Sequence, residues 1–181
     1  MNVILIGYRA TGKSTIGRIL ARRLTAGFCD TDAIVEKTAG KPIKEIVAEE
    51  GWDSFRAMEK DAVRSLERKG ACVVATGGGV VLDRENIELL KRAGVVIWLK
   101  APLQDIVDRL KRDAQTKAAR PQFTAGNLLQ ETIDILRQRL PLYESAADYT
   151  VDTFAKNPEQ VTEEIYQYLI KSGNLDKINK N

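Results

Sequence analysis

An α/β layered fold is predicted by three observations on the 181-residue sequence. Short apolar or β-branched runs recur along the chain: "NVILIG" (2–7), "GFCDTD" (27–32), "ACVVAT" (71–76), "VVIWL" (95–99) and "YTVDT" (149–153). Several of them are apolar without alternation, the pattern of parallel strands buried on both faces. Longer segments of helical periodicity separate them, and a parallel sheet requires such crossovers.

The first run leads straight into "GYRATGKST" (7–15), and a helix over 11–24 then carries Ile16, Ile19, Leu20 and Leu24 on one face. The second run ends in "CDTD". Residues two apart on a strand share a side, so Asp30 and Asp32 are expected to project together from its carboxyl end, the edge where open parallel sheets bind ligands. Residues 33–62 insert helical material before the third run, the expected substrate-binding (acceptor-side) subdomain, and a helix over 52–68 presents Phe55, Ala62, Val63 and Leu66. The third run passes into "ATGGGVV" (75–81). A helix over 83–93 follows an N-capping Asp83, and one over 102–111 opens with Pro102 in its first turn. The polar stretch beyond it lacks an apolar stripe, so 112–125 is the expected lid. Helices over 127–140 and 158–170 complete the set, and "SGNLDKINKN" (172–181) is expected to be a frayed, solvated polar tail.

Composition narrows the function. With 44% apolar and 29% charged residues, no repeat and no linker, residues 1–171 read as one globular domain. No apolar stretch approaches the roughly 20 residues of a bilayer span, and no secretory leader is visible, so a cytoplasmic protein is expected. A net charge of +3 without a block of like charges argues against nucleic acid. Basic residues thicken at 108–121, but no aromatic is interleaved there to stack on bases. The absence of histidine excludes Ser-His-Asp hydrolysis, phosphohistidine chemistry and His-ligated zinc. Any base is therefore a carboxylate, a lysine or a tyrosine. Cys29 and Cys72 lack metal-ligand or CxxC spacing and read as small hydrophobes.

The chemistry concentrates in a few short stretches. "GYRATGKST" matches G-x-x-x-x-G-K-[ST], whose glycines let backbone amides approach phosphate oxygens at a helix N-terminus. In that pattern Lys13 reaches the β- and γ-phosphates, and the Ser14 hydroxyl can coordinate Mg²⁺. Paired carboxylates nearby suit a division of work, one holding Mg²⁺ through water and the other contacting an acceptor hydroxyl; capping aspartates are the alternative. Arg56 and Glu59, three apart on a helix, ordinarily read as a solvated ion pair. The glycines at 77–79 allow a ligand ring to lie against the backbone, or form a plain turn.

Taken in order, "GYRATGKST", "DTD", "FRAME", "GGG", "ARP" and "RLPLY" make the chain resemble the shikimate kinases, within the P-loop nucleoside monophosphate kinase-like group. The likeness runs from about residue 3 to about residue 170. It implies a P-loop kinase fold: a three-layer α/β/α sandwich whose five-stranded parallel sheet has the order 2-3-1-4-5. It also implies that Gly7, Ala10, Thr11, Gly12, Lys13, Ser14 and Thr15 bind ATP, with Ser14 on Mg²⁺ and Asp30 supporting the metal through water. Asp32 would contact the shikimate hydroxyls and act as base for the 3-hydroxyl. Arg56 and Arg139 would hold the carboxylate, and the glycine turn at Gly77, Gly78 and Gly79 would lend backbone contact.

By the same resemblance Arg120 would swing from the lid toward the phosphates, completing a catalytic set with Lys13 and Asp32. Arg112 would face the nucleotide, and Lys156 in "TFAKNP" matches the adenine-side loop, where arginine is frequent. The implied reaction converts ATP and shikimate to ADP and shikimate 3-phosphate, with small-molecule partners only and a monomeric enzyme. A gluconate or nucleoside monophosphate kinase, or a non-catalytic nucleotide sensor, are the alternatives. Two departures stand out: Tyr8 and Arg9 occupy phosphate-loop positions where small residues are common, and Trp52 follows Gly51 where an acidic residue is frequent.

Overall fold

The computed structural model describes residues 1–68, 70–116 and 128–179. The apolar runs become β1 (Asn2–Ile6), β2 (Gly27–Asp30), β3 (Cys72–Ala75), β4 (Gly94–Lys100) and β5 (Tyr149–Asp152). They form one sheet of order β2-β3-β1-β4-β5, as expected. Every pairing is parallel; Val3 lies opposite both Val73 and Val95, and Trp98 lies opposite Thr150.

The period of two along each strand divides the core between the faces of the sheet. Val3, Leu5, Val73, Val95, Ile97, Leu99 and Val151 point to one side, against α1 (Lys13–Arg23) and α7 (Pro158–Lys171). Ile4, Ile6, Val74, Val96 and Trp98 point to the other, where α3 (Ile43–Ser65), α4 (Arg84–Ala93) and α6 (Leu128–Ala146) cover them. Trp98 stacks on Tyr143 of α6 with ring centroids 5.8 Å apart. A satellite cluster of Val35, Ile43, Ile46, Phe55 and Ala62 joins α2 (Thr31–Ala39) to α3, within the span expected to form the acceptor-side insertion. Cys29 and Cys72, with Sγ atoms 3.6 Å apart across β2 and β3, pack partly buried against the core as the hydrophobe reading expects.

Besides α6, which runs past the expected end at 140 to Ala146 with Pro141 inside it, three boundaries differ from expectation. The helix expected over 52–68 starts at Ile43 and bends at Gly51, whose φ of 83° and ψ of 174° are not helical. Glycine hides this helix from a periodicity reading because it breaks the stripe while packing holds both halves in place. The α5 helix (Leu103–Thr116) runs past the predicted end at 111. Residues 112–116 of the expected lid are therefore its last turn, while 117–125, including Arg120, lie outside the described residues. The third difference is the expected solvated tail. Residues Asn174–Asn179 form α8, and Ile178, 3% exposed, joins the core beside α1 and α7.

Candidate active site

The phosphate loop leaves β1 at the carboxyl edge of the sheet and turns into α1. Gly7 has a φ of 143°, and a Cβ there would sit 2.7 Å from the Leu99 carbonyl oxygen, so any side chain would drive the loop off β4. Ala10 adopts a left-handed φ of 61°, and Gly12 caps α1 at φ 93°. Thr11, buried, donates its hydroxyl to the Tyr8 carbonyl at 2.8 Å. Lys13 is also buried, and its Nζ donates to the Gly7 and Tyr8 carbonyls at 2.8 and 2.7 Å. The loop thus curls around its own ammonium at the positive end of α1, a concavity suited to an anion. Thr15, at the next position of α1 after Ser14, is exposed.

Ser14 donates its hydroxyl to Asp30 Oδ2 at 2.8 Å. With that proton committed to Asp30, the Ser14 oxygen lone pairs remain available to a cation. Among the described residues no group of three or more His, Cys, Asp or Glu side chains could hold a metal. Mg²⁺ fits such a two-residue oxygen set, because it binds through one or two protein groups and completes its shell with phosphates and water.

The predicted geometry of the aspartate pair needs correction. The strand stops at Asp30, and Asp32 lies in the first turn of α2 instead of two residues further along a strand. Asp30 is the N-cap of α2, its Oδ1 accepting from the Asp32 N–H at 3.1 Å. Thr31, fully buried, accepts the Gly77 N–H at 2.9 Å and ties this corner to the glycine turn. Asp30 therefore both caps a helix and faces Ser14, while the helical turn sends Asp32 into a separate pocket.

That pocket is lined by Asp32, Arg56, Glu59, the three glycines 77–79 and Arg139, with Ile43, Trp52 and Phe55 as an apolar wall and Tyr8 and Arg9 from the phosphate loop. Arg56 bonds Glu59 Oε2 at 2.6 Å. Glu59 is only 1% exposed, so the pair is not the solvated one its spacing suggests. Burial pushes the Glu59 carboxyl above its ordinary range, against the pull of Arg56, and the Asp32 charge adds to the rise. Glu59 Oε1 has no hydrogen-bond partner among the described residues. Arg139, on α6, donates to the Gly78 carbonyl at 3.0 Å, and the Tyr143 hydroxyl donates to the same oxygen. Burial raises the Tyr143 phenol well above its ordinary value, so it stays a neutral donor.

The glycines here serve close approach. A Cβ on Gly77 would stand 2.6 Å from Glu59 Oε1 and 2.7 Å from Asp32 Oδ1, and one on Gly79 only 2.4 Å from both terminal nitrogens of Arg56. The turn is bare so that charged groups can converge on it.

Arg112 is exposed on α5, outside this pocket, and Lys156 pairs with Glu164 at 2.6 Å in the turn between β5 and α7. The residues around the site that the sequence reading gave no role there are Thr31, Glu59, Tyr143 and the apolar wall. Tyr143 had a signal: it follows Arg139 by four residues, which places both on one helix face.

Residues 9–170 match the family model described as shikimate kinase. The chain belongs to the shikimate kinase family. The shikimate kinase of Syntrophus aciditrophicus is 43% identical over 172 residues, 91% of this chain and 88% of that one. The shikimate kinase of Nitratidesulfovibrio vulgaris is 48% identical over 149 residues, 82% and 85% of the two chains. The solved shikimate kinase from Acinetobacter baumannii in complex with shikimate superposes with a TM-score of 0.87 at 33% identity, covering 94% of this chain and 93% of that one. The sheet and its flanking helices have the P-loop kinase architecture, which this chain shares with that shikimate kinase.

Proposed function

We propose that the chain transfers the γ-phosphate of ATP to the 3-hydroxyl of shikimate, giving ADP and shikimate 3-phosphate. The observation that carries this reading is the acceptor pocket, in which Asp32, Arg56, Arg139 and a bare glycine turn converge beside the phosphate loop. Shikimate presents one carboxylate and three hydroxyls on a ring. Arg56 and Arg139 offer planar forks for the carboxylate, Asp32 accepts from hydroxyls, and Trp52, Phe55 and Ile43 shield the ring.

Phosphoryl transfer needs alignment and charge neutralisation more than covalent chemistry. Gly7, Ala10, Thr11, Gly12 and Thr15 shape or flank the cradle for the triphosphate, and Lys13 turns from its loop carbonyls to the phosphate oxygens. Asp32 takes the proton of the 3-hydroxyl as the new P–O bond forms. Gly77, Gly78 and Gly79 let the ring lie against the backbone. Ser14 and, through water, Asp30 would hold Mg²⁺, which when bound would neutralise charge on the triphosphate. Arg120 contributes from the lid, Arg112 contacts the nucleotide, and Lys156 meets the adenine side. The proposed enzyme acts as a monomer, and the demand for ATP suits the cytoplasm. Neither nucleic acid nor membrane has a part in this chemistry; among the described residues no helix is long and apolar enough to cross a membrane.

The test is ADP release measured with shikimate, gluconate and nucleoside monophosphates in parallel. Turnover with shikimate alone is expected, abolished by Lys13→Met. No turnover with shikimate overturns the reading; ATP binding without transfer to any acceptor would indicate a nucleotide sensor.

A further inference from the structure

Arg9 is one of the two bulky residues in the phosphate loop, and holding ATP does not call for it. Its Nη2 lies 3.0 Å from Glu131 Oε1, in the first turn of α6, with the two side chains 12% and 2% exposed. Burying an ion pair costs desolvation that the attraction only partly offsets, and an apolar pair of similar volume often serves stability as well. Stability is therefore a weak reason for the pair. Its place supplies a stronger one.

Arg9 lines the acceptor pocket together with Asp32, Arg56 and Arg139. Its backbone nitrogen is 3.1 Å from the position a Cβ on Gly78 would take. It thus stands where the phosphate loop meets the glycine turn of the pocket, which on the reading above is the path of the phosphoryl group. We propose that Arg9 is a further catalytic residue, contacting the phosphoryl oxygens during transfer and then the phosphate of the product, and that Glu131 is the positioning residue that aims it. This rests on the phosphoryl-transfer reading above. A guanidinium has five N–H donors, so a bond to Glu131 is compatible with a two-pronged contact to a phosphoryl group. Glu131 shares α6 with Arg139 and Tyr143, which both bond the Gly78 carbonyl, so one helix orients the substrate turn and the transfer arginine together.

The test compares Arg9→Met, Arg9→Lys, Glu131→Gln and the double variant Arg9→Met/Glu131→Gln. Steady-state kinetics and the separate affinities for shikimate and shikimate 3-phosphate are measured, with thermal unfolding to confirm folding. Arg9→Met is expected to lower kcat by about 100-fold, as for other groups that stabilise charge in a transition state, with little change in KM for shikimate. Its affinity for shikimate 3-phosphate should fall by about tenfold or more while that for shikimate stays within about threefold. Arg9→Lys should recover part of the rate, because the charge remains and the fork is lost. Glu131→Gln should lower kcat by less, and the double variant should be no worse than Arg9→Met, because Glu131 acts through Arg9. A wild-type kcat in Arg9→Met, or equal weakening of shikimate and shikimate 3-phosphate, overturns the role. If Arg9→Met does not fold, Glu131→Gln carries the same comparison. A wild-type protein inactive with shikimate overturns the functional reading and this role together; an active one indifferent to Arg9 overturns only this role.

Discussion

Gly79→Ala should weaken shikimate binding without harming the fold. The backbone at Gly79 has φ −103° and ψ 0°, which alanine adopts, so the substitution carries no left-handed strain. The cost falls on Arg56. The new methyl would meet Nη1 and Nη2 at 2.4 Å and Cζ at 2.7 Å, whereas ordinary contact begins at 3.4 Å. The guanidinium must therefore retreat by about 1 Å, the size of displacement at which hydrogen bonds of good geometry are lost. Its 2.6 Å bond to Glu59 would stretch or break, and its fork would leave the acceptor carboxylate. A hydrogen bond to a charged group contributes about 1.5 to 3 kcal/mol, so KM for shikimate should rise roughly tenfold to 100-fold. Initial rates against shikimate at saturating ATP give this number, with KM for ATP and the unfolding temperature as controls. An unchanged KM for shikimate in a folded Gly79→Ala protein would refute the placement of Arg56 as the carboxylate anchor.

Gly77→Ala sends its methyl instead toward Asp32 Oδ1 and Glu59 Oε1, so kcat should fall by about tenfold or more in the same assay. Asp32→Asn should lower kcat by about 100-fold or more while ATP affinity, read by equilibrium titration, survives; full activity would remove Asp32 from the base role. Glu59→Gln should flatten the pH dependence of stability. Burial raises the folded-state pKa of Glu59 above the ordinary 4.5, so from there upward the unfolded chain loses this proton first. The wild type should therefore lose stability relative to Glu59→Gln as pH rises from about 4.5 to the folded-state value, measured as the difference in unfolding temperature. A constant difference across that range would contradict the raised pKa. Ile178→Ala should cost about 2 to 5 kcal/mol in denaturant unfolding with kinetics unchanged, and a neutral result would return residues 174–179 to the solvated state their polarity suggests.

By itself the sequence determined the strands and the phosphate-loop turn, because both are local. A β-branched run buried on two faces announces itself in a few residues, and the phosphate loop is a contiguous pattern between a strand and a helix. The strand order, which nothing in the chain alone fixes, came only with the family resemblance that the motifs carry. The acceptor side was legible only as residue types. Arg56 and Glu59 have the same spacing whether solvated or buried, and it is the glycine turn after β3, packed against them, that removes Glu59 from water. The path of the chain at Asp30 was misjudged because the strand ends through contacts remote in sequence, Ser14 with Asp30 and Thr31 with Gly77. Residues 172–181 look solvated by composition, yet Ile178 finds a groove between α1 and α7 that exists only once the sheet is assembled. The tie between Arg9 and Glu131 spans 122 residues and left no mark on local pattern. Tertiary structure decided these features because burial and convergence depend on what a distant segment brings, and a sequence window shows only its own side chains.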